Sequence, residues 1–219
     1  VEELIALYTH DEVDRHFNEQ KLFDFLLNQA KLKSSVQRVK NGRILNLRCS
    51  DETIFFIEKG IVSISVDESI LYFTGANRFV GLESLLFHDS NDLEFTSVGE
   101  VEVLEFKKVD IIDALMNMQE GWLYGYLINV HLQELLVQQY MFSKMRTKKR
   151  SKELLKVLAK EVSNEDESLI NLPKQLNYTV LTKYLGVSYV TIRKLFEEFR
   201  RESFILEGPN RSISINLEI

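Results

Sequence analysis

One cysteine, Cys49, stands among 219 residues, with 2 prolines, 9 glycines and 1 tryptophan. A lone thiol excludes an intramolecular disulfide, a Cys-rich structural zinc site and a four-cysteine iron–sulfur cluster within one chain. It fits a reducing compartment. Cys49 reads as a small strand residue, with only Arg48 as a basic neighbour that could lower its pKa. The most apolar long stretch, 121–142, is broken by Asn129, His131, Gln133, Glu134, Gln138 and Gln139. It lacks the roughly 18 consecutive apolar residues of a membrane span. The opening Val1-Glu2-Glu3-Leu4 has no basic region before an apolar run, so no signal peptide is expected and a cytoplasmic location is. The four histidines, His10, His16, His88 and His131, make no pair at i, i+3 or i+4, so no metal or haem is expected. No Walker loop, dinucleotide fingerprint or nucleophile elbow is present. No two carboxylates can be assigned as an acid/base pair. The reading is therefore a protein without cofactor that is not an enzyme.

What is present is an ordinary globular mixture, 45% apolar and 27% charged. The net charge of −6 hides an asymmetry. Residues 1–143 carry 12 basic and 23 acidic side chains, and residues 144–219 carry 15 basic and 10 acidic. A basic C-terminal third on an acidic body suggests that only this third faces a polyanion.

The pattern divides the chain into three. Residues 1–35 read as mostly helical, with Leu22, Phe23, Phe25, Leu26 and Leu27 as an apolar cluster of imperfect period. From Val36 to Phe106, short β-rich runs alternate with turn signals: 43–47, 53–58, 61–66, 70–73, 78–80 and 98–106. Strands at this spacing predict a sandwich, barrel or roll. In Ile61–Val66 one face is apolar and the other mostly polar. Helices are then predicted over 110–118, 121–145 and 147–162. The long helix carries two stripes. One is Leu123, Leu127, Val130, Val137 and Met141, and the other is Ile128, Leu132, Leu135 and Phe142. A surface helix needs one apolar stripe. Two suggest its own domain on one side and a second chain on the other, with burial inside one monomer as the alternative. The first stripe is the expected dimer interface. Trp122, Tyr124 and Tyr126 read as packing between helix and roll.

Residues 178–196 carry the most specific signal. Leu181 and Leu185 mark the inner face of one helix, and Ile192 and Leu195 that of the next. Between them Gly186 stands where the turn needs positive φ, Val187 closes into the core and Ser188 can cap the second helix. This is helix-turn-helix spacing. The residues left outward are Tyr189, Val190, Arg193 and Lys194, with Thr191 near the edge. Arg or Lys can donate to guanine and Val can touch a thymine methyl, so these four are the base-reading candidates. Lys183, Arg200 and Arg201 suit phosphate, which sets register. Residues 204–206 and 212–217 alternate like two strands of a wing, with Arg211 at its tip as another phosphate candidate.

Roll, long helix and winged helix-turn-helix, in that order, resemble the Crp/Fnr family of bacterial transcription regulators. The resemblance covers nearly the whole chain. It rests on Ile54-Phe55-Phe56-Ile57-Glu58-Lys59-Gly60-Ile61-Val62, on Arg78-Phe79-Val80-Gly81-Leu82-Glu83-Ser84-Leu85-Leu86, and on Gly186-Val187-Ser188-Tyr189-Val190-Thr191-Ile192. It implies an α+β chain with three parts. These are a jelly-roll, cyclic-nucleotide-binding-like sensor domain over 1–109, a short helix and dimerisation helix over 110–145, and a winged helix-turn-helix over 146–219. It implies a homodimer on a roughly palindromic site, with Ser188 and Thr191 added to the phosphate contacts and RNA polymerase as a partner. Gly81, Leu82, Glu83 and Ser84 would line the effector pocket. In cyclic-nucleotide-binding members a Glu holds the ribose and a nearby Arg the cyclic phosphate. Here Leu82 follows Gly81, Glu83 is shifted by one, and no Lys or Arg occurs between Phe79 and Phe106. A buried phosphate without a cation is costly. Control by cyclic AMP is therefore not expected. An unidentified effector, an atypical cyclic-nucleotide pocket and a roll that contacts protein stay open.

Overall fold

The computed structural model describes residues 15–39, 52–85, 93–163, 167–208 and 212–219. The sequence-predicted strand at 43–47 and the residues Cys49, His10, His88 and Arg211 lie outside them.

The chain enters through helix α1 (Glu19–Asp24), capped by the Asn18 side chain, which accepts from Lys21 N–H. A π turn, Phe25–Gln29, follows, closed by Ala30 N–H on the Phe25 carbonyl at 2.9 Å. That wider turn accounts for the imperfect apolar period. It still puts Leu22 and Leu26 inside, both 0% exposed.

The roll is an antiparallel sheet built on two long strands, β2 (Thr53–Val66) and β5 (Glu94–Lys107). The others are β1 (Ser35–Val39) on β5, β3 (Ser69–Thr74) on β2, and β4 (Arg78–Val80), also on β2. The register of β2 slips against β5 between Ile57 and Ile61. Gly60 sits there at φ 97°, where an added Cβ would lie 2.6 Å from the Glu100 carbonyl oxygen. The bulge flips the alternation. Phe55 and Ile57 before it, and Val62 and Ile64 after it, all enter one cluster with Phe95, Val101 and Val103. The opposite parity, Ile54 and Phe56, packs with Leu22 of α1 and with Ile111, and Phe23 stacks on Phe56 at 3.8 Å.

Both faces of Ile61–Val66, the apolar one and the mostly polar one, are covered. Ser63 and Ser65 are buried, and their hydroxyls donate to the Thr96 and Glu94 carbonyls at 3.2 Å each. The reason is a second layer. Ile61, Phe73 and Val98 of the roll share a hydrophobic cluster with residues of the C-terminal helices.

Those helices follow α2 (Lys108–Met116) and α3 (Trp122–Ser143). They are α4 (Thr147–Val162), α5 (Tyr178–Leu185) and α6 (Tyr189–Arg201). A small sheet completes the unit, with β8 (Ile213–Asn216) between β6 (Leu169–Asn171) and β7 (Ile205–Glu207). Strand β6 is not foreseen in the sequence. Its three residues show no alternation of polarity, and what makes it a strand is its pairing with β8, Leu169 opposite Asn216, Ile170 opposite Ile215 and Asn171 opposite Ser214. Tyr124 packs against the roll side with Phe17 edge-on at 5.4 Å, but Trp122 and Tyr126 are exposed, which corrects the expectation for those two.

Candidate nucleic-acid interface

The helix-turn-helix is assembled from local chemistry. Asn177 caps α5, accepting from Thr179 and Val180 N–H at 2.9 and 3.2 Å. Gly186 ends it at φ 62°, ψ 41°, the left-handed region where a side chain is disfavoured. Ser188 then caps α6, its hydroxyl accepting from Thr191 N–H at 3.1 Å. Ile192, Leu195, Phe196 and Phe199 face the core, and Tyr184 of α5 donates its hydroxyl to the Leu154 carbonyl at 3.1 Å. The register this imposes leaves Tyr189, Val190, Arg193 and Lys194 exposed together on the first two turns of α6.

Charge around α6 is sorted by position. Toward its C-terminus, Glu198 and Glu202 are held by Lys148 of α4 at 2.9 and 2.7 Å, and Lys152 approaches Glu202 at 3.7 Å. The pairing raises the Lys148 pKa and lowers that of Glu202, through their hydrogen bond first. Arg193 and Lys194 make no ion pair among the described residues. Their charges are thus available to a polyanion.

The other sequence-predicted contacts are scattered in role. Arg201 is exposed in the last turn of α6. Arg200 donates to the Tyr178 hydroxyl at 3.2 Å. Lys183 lies 3.5 Å from Glu68, in the β2–β3 turn of the roll. The Ser188 and Thr191 hydroxyls are 2.8 Å apart, so each already has a partner.

On α3 the anticipated dimer stripe divides. Leu123 is only 3% exposed and covered by its own chain, so it takes no part in a seam between chains, a correction to the sequence reading. Leu127 and Val130 are half-buried and line a cavity beneath the helix. Val137 and Met141 stand out at 62% and 53%, beside Leu136 at 70% and Tyr140 at 61%. Together they form a patch of large apolar side chains facing water.

The cavity, about 410 Å³, lies between the roll, α3 and α4. Of the four pocket candidates, Leu82 and Glu83 line it, while Gly81, at φ 87°, and the buried Ser84 shape the turn. Arg78 lines it too, one residue before the cation-free window of the sequence. Its guanidinium is 3.3 Å from Glu19, whose other oxygen accepts from Phe79 N–H. Burial pushes the Glu83 carboxyl above its ordinary 4.5; its own N–H and that of Gly81 pull it back, and the Glu19 charge adds to the rise. The unfolded chain loses this proton near 4.5 and the folded chain holds it higher, so Glu83 costs stability above that pH and nothing below it. Glu83→Gln is expected to raise the melting temperature at neutral pH and to leave it unchanged below pH 4.5. Thermal unfolding across pH checks this, and a lower melting temperature at neutral pH would contradict it.

No protein-family model and no curated protein matches the chain in sequence. Solved structures match its fold. A cyclic nucleotide-binding domain containing protein from Listeria monocytogenes EGD-e matches with a TM-score of 0.69 at 17% identity, over 90% of this chain and 98% of its own. FixK2 from Bradyrhizobium japonicum matches at 0.70 and 13%, over 85% and 95%. CLP, a c-di-GMP responsive global regulator of Xanthomonas campestris, matches at 0.63 and 16%, over 89% and 98%. Among the described residues no helix is long and apolar enough to cross a membrane. At such identities what is shared is the fold. The chain therefore has the fold of cyclic nucleotide-binding domain proteins and Crp/Fnr-type regulators, the group its sequence motifs resemble.

Proposed function

We propose that this protein is a sequence-specific DNA-binding transcription regulator, acting as a homodimer on a roughly palindromic site and not controlled by cyclic AMP. In this reading residues 1–109 sense, 110–145 join two copies, and 146–219 bind DNA. One observation carries it. Helix α6 presents Tyr189, Val190, Arg193 and Lys194 outward at its capped N-terminal end, with the two cations unpaired by acids. A helix so presented fits the major groove, which has room for one. Lys183, Ser188, Thr191, Arg200, Arg201 and Arg211 would lie along the flanking phosphates. RNA polymerase is the partner such a regulator would address. Independence from cyclic AMP is supported by the cavity, where the one guanidinium, that of Arg78, already holds Glu19.

Selection of binding sites from random DNA by the purified protein, without effector, tests the reading. A two-fold-symmetric site is expected, with affinity falling steeply as salt rises. Failure to enrich any sequence, or binding indifferent to salt, would overturn it. On the selected site Arg193→Ala and Lys194→Ala are each expected to cost about 1–3 kcal/mol and to relax preference at one position. Competition titrations with single-base variants measure both. A uniform loss across all variants would assign the residue to phosphate instead.

A further inference from the structure

The cavity behind the sheet carries more acid than its volume calls for. Glu19 comes from α1, Glu83 from the turn after β4, Glu134 from α3 and Glu161 from α4, against the Arg78 guanidinium and the His131 imidazole. Arg78 is committed to Glu19, as shown above. Oε1 of Glu83 is shut away from solvent and has no hydrogen-bond partner. A buried carboxylate oxygen without a donor is an uncompensated cost, and the native group most able to remove it is a cationic N–H donor. The rest of the wall is largely apolar, with Leu22, Phe79, Leu127, Ile128 and Phe142, and polar at Asn18, Thr74, Gln138 and Gln139. A space of about 410 Å³ falls in the range that takes small organic molecules.

We propose that this cavity binds a small organic cation, a primary amine on an apolar body, with its ammonium against Glu83. An ammonium has three donors to offer, enough for the Glu83 and Glu161 side chains where they border the cavity. An anion would meet carboxylates on three sides. The walls also join the sensing and reading parts of the chain, because Leu154 and Glu161 of α4 and Tyr184 of α5 close the cavity opposite Tyr72 and Thr74 of β3. Occupancy would therefore bias how the roll is held against the helix-turn-helix. That consequence rests on the DNA-binding reading, whereas the binding site does not.

Calorimetry and thermal shift on the full chain test the two separately. The probes are phenethylamine, tryptamine and agmatine, set against 3-phenylpropionate, indole-3-propionate and cyclic AMP. At least one amine is expected to bind one per chain and raise the melting temperature, while the anions do neither. Glu83→Gln, which should fold at least as stably as the parent, is expected to weaken the amine by roughly tenfold or more. Glu161→Gln should weaken it as well, so the charge dependence does not hang on one variant. Binding of the anions as tightly as the amines, undiminished amine binding by both variants, or no amine binding at millimolar concentration would overturn the proposal. Anisotropy on the selected DNA site, with and without the amine, then reads the second question. Amine binding without DNA binding would remove the regulator and keep the site, and DNA binding without amine binding would do the reverse.

Discussion

Aspartate placed at both Val137 and Met141 is expected to split the protein into single chains and to weaken its hold on a symmetric DNA site by roughly 100- to 10,000-fold. Both side chains are exposed, at 62% and 53%, so the folded chain should tolerate charge there. In a seam between two copies of α3 the same charges would be buried in like-signed sets, which costs far more than the surface change does. The loss on DNA follows because a dimer presents two reading helices at once, and the second half-site is met at high effective concentration. Sedimentation gives the association state and anisotropy the affinity. A double variant that still sediments as a dimer would sink the assignment of this face. One that dissociates yet holds the palindrome as before would sink the dimeric mode of binding. Leu123→Asp is not an equivalent test, since Leu123 is buried in its own chain and its replacement would attack the fold.

Phe196→Ala should cost about 3–5 kcal/mol of folding stability, the range for emptying a buried aromatic site. Phe196 is 0% exposed, with the Tyr178 ring at 5.1 Å and the Phe199 ring at 6.4 Å. It is on the buried face of α6, whereas Val190 is 64% exposed, so a cavity there loosens the packing that holds the outer face in place. The damage should also reach the roll, because Ile61, Phe73 and Val98 belong to the same cluster. Urea unfolding followed by far-ultraviolet dichroism measures it. Val190→Ala, on an exposed side chain, should stay within about 0.5 kcal/mol and serves as the contrast. Equal costs for the two would mean that α6 is not oriented as described.

How much of this was legible in the sequence depends on the range over which each feature is decided. The turn between α5 and α6 is decided within a few residues. Gly186 takes the left-handed conformation and Ser188 caps, and both roles follow from residue type at that spacing. The bounds of α4, Thr147–Val162, agree with its apolar period for the same reason. The alternation of Ile61–Val66 reports two faces and does not say what lies on either. The C-terminal helices on its second face are placed by contacts far along the chain. Strand β6 has no local signal at all and exists through β8.

The candidate site divides in the same way. Tyr189, Val190, Arg193 and Lys194 could be placed on one face from helical period alone, since a single well-capped helix carries all four. Their lack of acidic partners is a different kind of fact. It is read from the folded chain, where Lys148 and Lys152 of α4 pair with Glu198 and Glu202 and no ion pair reaches Arg193 or Lys194 among the described residues. The cavity shows the limit most clearly. Glu83 could be singled out as a displaced motif residue, but Glu19, Arg78 and Glu161 come from α1, β4 and α4, and only the closed fold brings them to one space. The dimer stripe stood between these cases, for α3 has two apolar faces whose period is plain, while tertiary burial alone could hide Leu123 and leave Val137 and Met141 in water. Order of parts, the bounds of α4 and the shared outer face of Tyr189, Val190, Arg193 and Lys194 thus followed from the amino-acid sequence, because backbone preference and short-range capping act within a few residues. Which faces are covered, which charges are spent and what the cavity can hold were settled by the tertiary structure, because burial and pairing join side chains whose positions in the chain carry no mark of one another.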